Sequence, residues 1–178
     1  MPDMTFPDVI TAIHQRKSVR KYSDAAVPES VLDDLIYCAT CAPTGNNRQP
    51  WRFVVINDPA TLSACAEIIP AGKMLLSCKQ AIVFCVEFEN ELLRFYGWLD
   101  ASAAVENLLL AAQAHGIGGV WLGVAPRIER IKAISALLEL PPNIEPMAVV
   151  ALGFPAETAT RKRKPKPAQI WKNRWGNP

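Results

Sequence analysis

Apolar and polar residues alternate along this chain with two different periods, and the periods divide it into helices and strands. Val31, Leu32, Leu35, Ile36 and Ala39 draw one stripe at helical spacing, so the segment opened by Pro28-Glu29 is expected to be a helix that Pro43 ends. A shorter helix opens at Thr5-Phe6-Pro7-Asp8, where Pro and Asp suit a first turn, and carries the chain to Arg16. Trp51 to Ile56 reads as a strand, and Asn57-Asp58-Pro59 turns into a helix near Ala60 to Ile69. Ala81 to Val86 is continuously apolar, as expected of a strand covered on both faces. A long helix follows from about Leu99 to His115, with Gly116 as its C-terminal cap. Ala101, Ala103, Ala104, Val105, Leu108, Leu109, Leu110, Ala111 and Ala112 go nearly all the way round it and leave almost no polar face, which predicts burial in a core or between subunits. Gly119 to Val124 is a short strand or extended loop, Arg127 to Leu138 an amphipathic helix, and Met147 to Leu152 a last strand. Helices and strands therefore interleave around a sheet of about four strands.

Composition changes this picture mainly at the C-terminus. A chain of 178 residues, 50% hydrophobic and 20% charged, suits one domain with a real core. Net charge is only +2, so no general attraction to nucleic acid or membrane is expected. Seven of the 19 basic residues nevertheless fall between Arg161 and Arg174, and the tail adds Trp171 and Trp175, which need cover. Residues 1–155 are read as the domain and 156–178 as an extension. The five cysteines are odd in number, and Met1-Pro2-Asp3-Met4 is no signal peptide, which points to a soluble, reduced, cytoplasmic protein. Cys38 and Cys41 lie late in a helix, where a redox pair would open one; with only His14 and His115 elsewhere, a metal site has few ligands. All five thiols are read as buried packing groups, and both histidines as surface or helix-end residues.

The candidate chemistry lies between Arg16 and Phe53. Arg16-Lys17-Ser18-Val19-Arg20 places three cations and a hydroxyl in five residues, suited to a phosphate. In extended chain Arg16, Ser18 and Arg20 share one side. The loop Pro43-Thr44-Gly45-Asn46-Asn47-Arg48-Gln49 is dense in amides, which donate and accept and so suit a heterocycle. Asn46 is equally a turn former; Gln49 is not. Gly118, Gly119 and Gly123 either admit a planar ring close to backbone or make a tight helix-to-strand connection. Asp100 is read evenly as a helix-start residue or a site residue.

These segments resemble the paired signatures of the FMN-dependent nitroreductase family, Arg-x-Ser-x-Arg and Ala-Pro-Ser-x-x-Asn-x-Gln-Pro-Trp. Asp100 to Asn107, Gly116 to Gly123, and Gly153-Phe154-Pro155-Ala156 followed by Arg161 and Arg163 are similar too, in the same order. The chain departs at Thr44, where Ser is usual, and at Lys17, where Arg is common. The resemblance implies an α+β, three-layer α/β/α fold with a central mixed sheet of about four strands plus one from the partner's C-terminus. It implies FMN bound by Arg16, Lys17, Ser18, Arg20, Asn46, Asn47, Gln49, Arg161 and Arg163, with Pro43 and Thr44 reaching it from the second subunit of a homodimer. Backbone N–H groups around Leu122 and Gly123 would meet the flavin's reactive nitrogen edge. The implied activity is ping-pong transfer of two electrons from NADH or NADPH to a nitroaromatic, quinone or similar small molecule, with no catalytic side chain of the protein's own. Two rival classes share these features: a flavin reductase or dehydrogenase on the same fold, and a non-enzymatic flavin- or nucleotide-binding protein with a basic tail.

Overall fold

The protein is described from a computed structural model, which covers residues 8–156 and 170–177. Five α-helices and four strands follow one another: α1 Val9–Gln15, α2 Glu29–Thr40, β1 Trp51–Ile56, α3 Pro59–Ile68, β2 Gln80–Glu87, α4 Glu91–Ala114, β3 Gly118–Gly123, α5 Ile128–Leu137 and β4 Ile144–Gly153. Short 3-10 turns lie at Gly45–Asn47 and Lys73–Leu76. The helix starts follow local chemistry. Asp8, Asp58 and Asn90 each accept a backbone N–H three residues on, from Thr11, Thr61 and Leu93. Gly116 follows α4 at a φ of 71°, the left-handed conformation that glycine adopts without Cβ strain.

The sheet order is β1-β2-β4-β3, and every neighbouring pair is antiparallel. Among the described residues the parallel component of the expected mixed sheet is a single isolated bridge, Ser18 to Gly119. β2 and β4 are central and buried on both faces, which explains their unbroken apolar runs. Alternation sends Ile82, Phe84, Val150 and Leu152 toward α2 and α4, and Val83, Cys85, Val149 and Ala151 toward α3 and α5. Three layers result.

Two boundaries differ from the sequence reading. α4 begins at Glu91, eight residues before Leu99, because Asn90 caps it and Gly97 lets it close on the sheet; a Cβ there would lie 2.1 Å from Val86 Cγ1. β4 starts at Ile144 rather than Met147. Its Glu145 is buried but accepts Arg94 Nη1 at 3.1 Å and Trp98 Nε1 at 3.0 Å, and Pro146 sits where the β2–β4 register shifts. The cysteine expectation needs correction. Cys65, Cys78 and Cys85 are buried, and burial pushes their thiols up to about 11, 11 and 12, but Cys38 is half-buried and Cys41 exposed. Cys38 lies in the last turn of α2 and Cys41 caps it, while Ala39 between them takes the buried side of the helix. Among the described residues no helix is long and apolar enough to cross a membrane, and no cluster could hold a metal ion.

Candidate active site

The cationic segment is laid against the far end of β3 and β4. Val19 N donates to Gly119 O at 3.1 Å, Ser23 N to Phe154 O at 2.9 Å, and Ala156 N to Lys21 O at 2.9 Å. Tyr22 pins it from inside: its hydroxyl donates to Val19 O at 2.7 Å, with Ala151 O 3.2 Å away. Burial raises this phenol well above its ordinary pKa, so it remains a donor. Glycine makes the fit possible. A Cβ on Gly118 would lie 2.7 Å from Val19, and one on Gly153 would lie 2.9 Å from the Tyr22 ring. At Gly118 and Gly119 the tight-connection reading therefore holds, since Gly119 is likewise filled by Leu109. Ser18 and Arg20 are left facing solvent. Arg16 instead turns to α4, where its Nε meets Glu106 Oε1 at 3.0 Å with 14% of its side chain exposed.

β3 is an edge strand, and its register decides which backbone groups are open. Val124 N donates to Met147 O, so the even-numbered residues of β3 pair with β4. Gly119 O faces outward to Val19, and the same alternation turns the N–H and C=O of Gly123 outward as well. Leu122 is buried and its polar groups face β4. Of the two residues, Gly123 is thus the one with an open N–H. A Cβ there would meet only Ala125 O, at 3.9 Å, so a flat group has free approach. The Gly123 carbonyl accepts Arg130 Nη1 of α5 at 2.8 Å.

The amide loop is held in an unusual conformation. Asn46, Asn47 and Gln49 have φ of 55°, 55° and 50°. Asn tolerates this region; Gln does so at a cost of about 1–3 kcal/mol. Gln49 Nε2 donates to Asn47 Oδ1 at 2.9 Å, its backbone N to Thr44 Oγ1 at 3.3 Å, and Gly45 N to Asp100 Oδ1 at 3.2 Å. Asp100 lies in the third turn of α4, so the helix-start reading fails and a loop-anchoring role replaces it. The strained loop stays exposed at Pro43, Asn46, Asn47 and Gln49.

The loop and the cationic segment do not meet within one chain. The loop leads into β1, three strand steps or about 14 Å across the sheet from β3. α4 stands between them. Its Asp100 and Asn107 hold Gly45 and Cys38 on one side, whereas Glu106 holds Arg16 about 120° around the helix. Arg161 and Arg163 lie outside the described residues. Tyr22, Glu106 and Arg130 were not selected from sequence. Glu106 carries a signal, as one of the few charged positions on α4; the other two carry none.

A family model described as the nitroreductase family matches residues 13–82 and 72–154. The chain belongs to the nitroreductase family. It is 35% identical over 168 residues to a provisionally named NADH dehydrogenase/NAD(P)H nitroreductase of Methanothermobacter thermautotrophicus, covering 94% of this chain and 88% of the relative. A protein of the same provisional name from Archaeoglobus fulgidus is 40% identical over 151 residues, covering 84% and 87%. Among solved structures, one so named from Parabacteroides distasonis superposes with a TM-score of 0.88 at 39% identity, covering 94% of this chain and 98% of the other. The nitroreductase-family fold and the three-layer arrangement agree.

Proposed function

We propose that this protein is an FMN-dependent oxidoreductase that passes two electrons from NAD(P)H to a nitroaromatic or quinone acceptor by a ping-pong mechanism. The observation that carries the reading is the array along β3: an exposed hydroxyl and cation at its Gly119 end and an outward N–H at its Gly123 end. These ends are about 13 Å apart, a span suited to a ribityl phosphate joined to a flat ring. The residues fit such a group because Gly123 leaves room where a side chain would collide. Ser18, Lys17 and Arg20, with Arg161 and Arg163 from the tail, would hold the phosphate. Arg16 would orient the segment through Glu106 and add charge at the same end. When bound, FMN supplies the hydride chemistry, accepting from the nicotinamide and delivering to the acceptor. The protein's part is to fix the ring, donate the Gly123 N–H to its nitrogen edge and leave one face open.

The separation of the amide loop from β3 supports a homodimer in which Pro43, Thr44, Asn46, Asn47 and Gln49 of one copy complete the site of the other. Exposed apolar residues supply a surface for it. Leu92, Phe95, Tyr96 and Leu99 form one helical stripe on α4, and Val9, Ile10 and Ile13 extend from α1. The 156–178 extension would wrap the partner: Trp171 and Trp175 stack at 3.8 Å, yet Trp175 is 85% exposed and Ile170 67%. The test is optical. Purified protein should carry a flavin spectrum that NADH or NADPH bleaches under anaerobic conditions, and double-reciprocal plots should be parallel. A protein that binds no FMN on reconstitution, or intersecting plots, would overturn the corresponding part of the reading.

A further inference from the structure

We infer that Arg130 is a specificity residue that makes the site prefer acceptors carrying a negative charge. The inference rests on the proposed placement of a flavin at the Gly123 edge and adds to it the chemical class of the acceptor. Arg130 reaches that edge from the first turn of α5, and its Nη1 donates to Gly123 O at 2.8 Å. A guanidinium has five N–H donors in a rigid fork, and this is the single hydrogen bond that the Arg130 guanidinium makes among the described residues. Among the described residues no carboxylate pairs with it, whereas Arg16, Arg52 and Arg94 are each matched to a glutamate. The bond to Gly123 O therefore orients the fork without neutralising it. It leaves a full positive charge beside the outward N–H where a ring and its acceptor would meet.

The local backbone adds to that field. Arg130 lies at the N-terminal end of α5, whose first N–H groups point the same sign of charge toward solvent. Glu129 is its neighbour in sequence, but lies about 100° around the helix. A carboxylate or sulfonate on an aromatic acceptor would meet that unneutralised positive charge there, and the attraction depends on the charge rather than on the shape of the group that carries it. Lys132, two residues on, carries the same charge but lies about 200° around α5, turned away from Gly123.

The experiment uses the FMN-loaded full-length protein with NAD(P)H as donor and two acceptors, 4-nitrobenzoate and neutral 4-nitrobenzyl alcohol. The readout is the ratio of their kcat/KM values in the parent, Arg130→Gln, Arg130→Lys and Lys132→Gln. The ratio should fall about fivefold to tenfold in Arg130→Gln, the effect of one charge a few ångströms away in a partly exposed site. It should stay within about twofold of the parent in Arg130→Lys and Lys132→Gln. Raised salt should lower the parent ratio toward that of Arg130→Gln. An unchanged ratio in Arg130→Gln, or an equal fall in Lys132→Gln, would overturn the inference. If Arg130→Gln does not fold, loss of the preference in a folded Arg130→Lys would overturn it equally. A parent protein that binds no FMN would instead refute the flavin reading beneath it.

Discussion

Gly118→Ala tests how the cationic segment is held. The added Cβ would lie 2.7, 2.7 and 2.8 Å from Val19 Cβ, Cγ1 and Cγ2, well inside the 3.4 Å at which ordinary contact begins. The segment would have to retreat by about 0.7 Å, because the glycine backbone is fixed in the β3–β4 ladder. Overpacking of this kind costs about 1–3 kcal/mol. Val19→Ala alone should cost about 1–2 kcal/mol, since Val19 is buried. Val19→Ala removes two of the three close contacts, so the double variant should be more stable than the sum by about 0.5–2 kcal/mol. Urea unfolding at one fixed protomer concentration measures all four proteins. A retreat of the segment also withdraws Ser18 and Arg20 from the site, so the Kd for FMN should rise about tenfold in Gly118→Ala, as for one lost charged hydrogen bond. Additive energies, or Gly118→Ala with parent stability and parent FMN affinity, would refute the clamp.

Arg20→Ala should lower FMN retention through gel filtration far more than Lys172→Ala, because only the first removes a cation from the site; equal losses would contradict the phosphate assignment. Leu99→Glu, at a position 68% exposed on the α4 stripe, should shift sedimentation toward the monomer and release FMN, whereas an intact dimer would place the interface elsewhere. Alkylation with iodoacetamide at pH 8 should modify Cys41 first and leave Cys65, Cys78 and Cys85 untouched. Burial holds those three thiols at about 11 to 12, so below pH 9 they stay protonated as well as inaccessible.

The parts of this molecule that were legible in its sequence are those where one residue's surroundings are set by near neighbours. The α2 stripe and the β2 run follow from periodicity, and Asp58-Pro59 marks a helix start by local hydrogen bonding. The first two turns of α4 were hidden because Gly97 interrupts them, and only its close approach to Val86 accounts for a glycine inside the helix. The start of β4 was hidden for a tertiary reason. Glu145 and Pro146 argue against a central strand, and only Arg94, Trp98 and a register shift reverse that. At the candidate site, the spacing of Arg16, Ser18 and Arg20 pointed to a segment suited to a phosphate. That Arg16 turns aside to Glu106, that Gly123 rather than Leu122 opens outward, and that Arg130 joins it all depend on strand register and helix packing.

α4 has a mechanical consequence. One rod of 24 residues, about 36 Å long, grips the amide loop through Asp100 and the cationic segment through Glu106. In the proposed homodimer those two grips would belong to different sites, and each rod would be a lever with one arm at either flavin. On that arrangement, seating the first cofactor would stiffen both levers and remove part of the ordering entropy that the second must overcome. FMN loading should accordingly be cooperative, with half-loaded dimers scarce, and the coupling should disappear when Asp100 no longer holds Gly45.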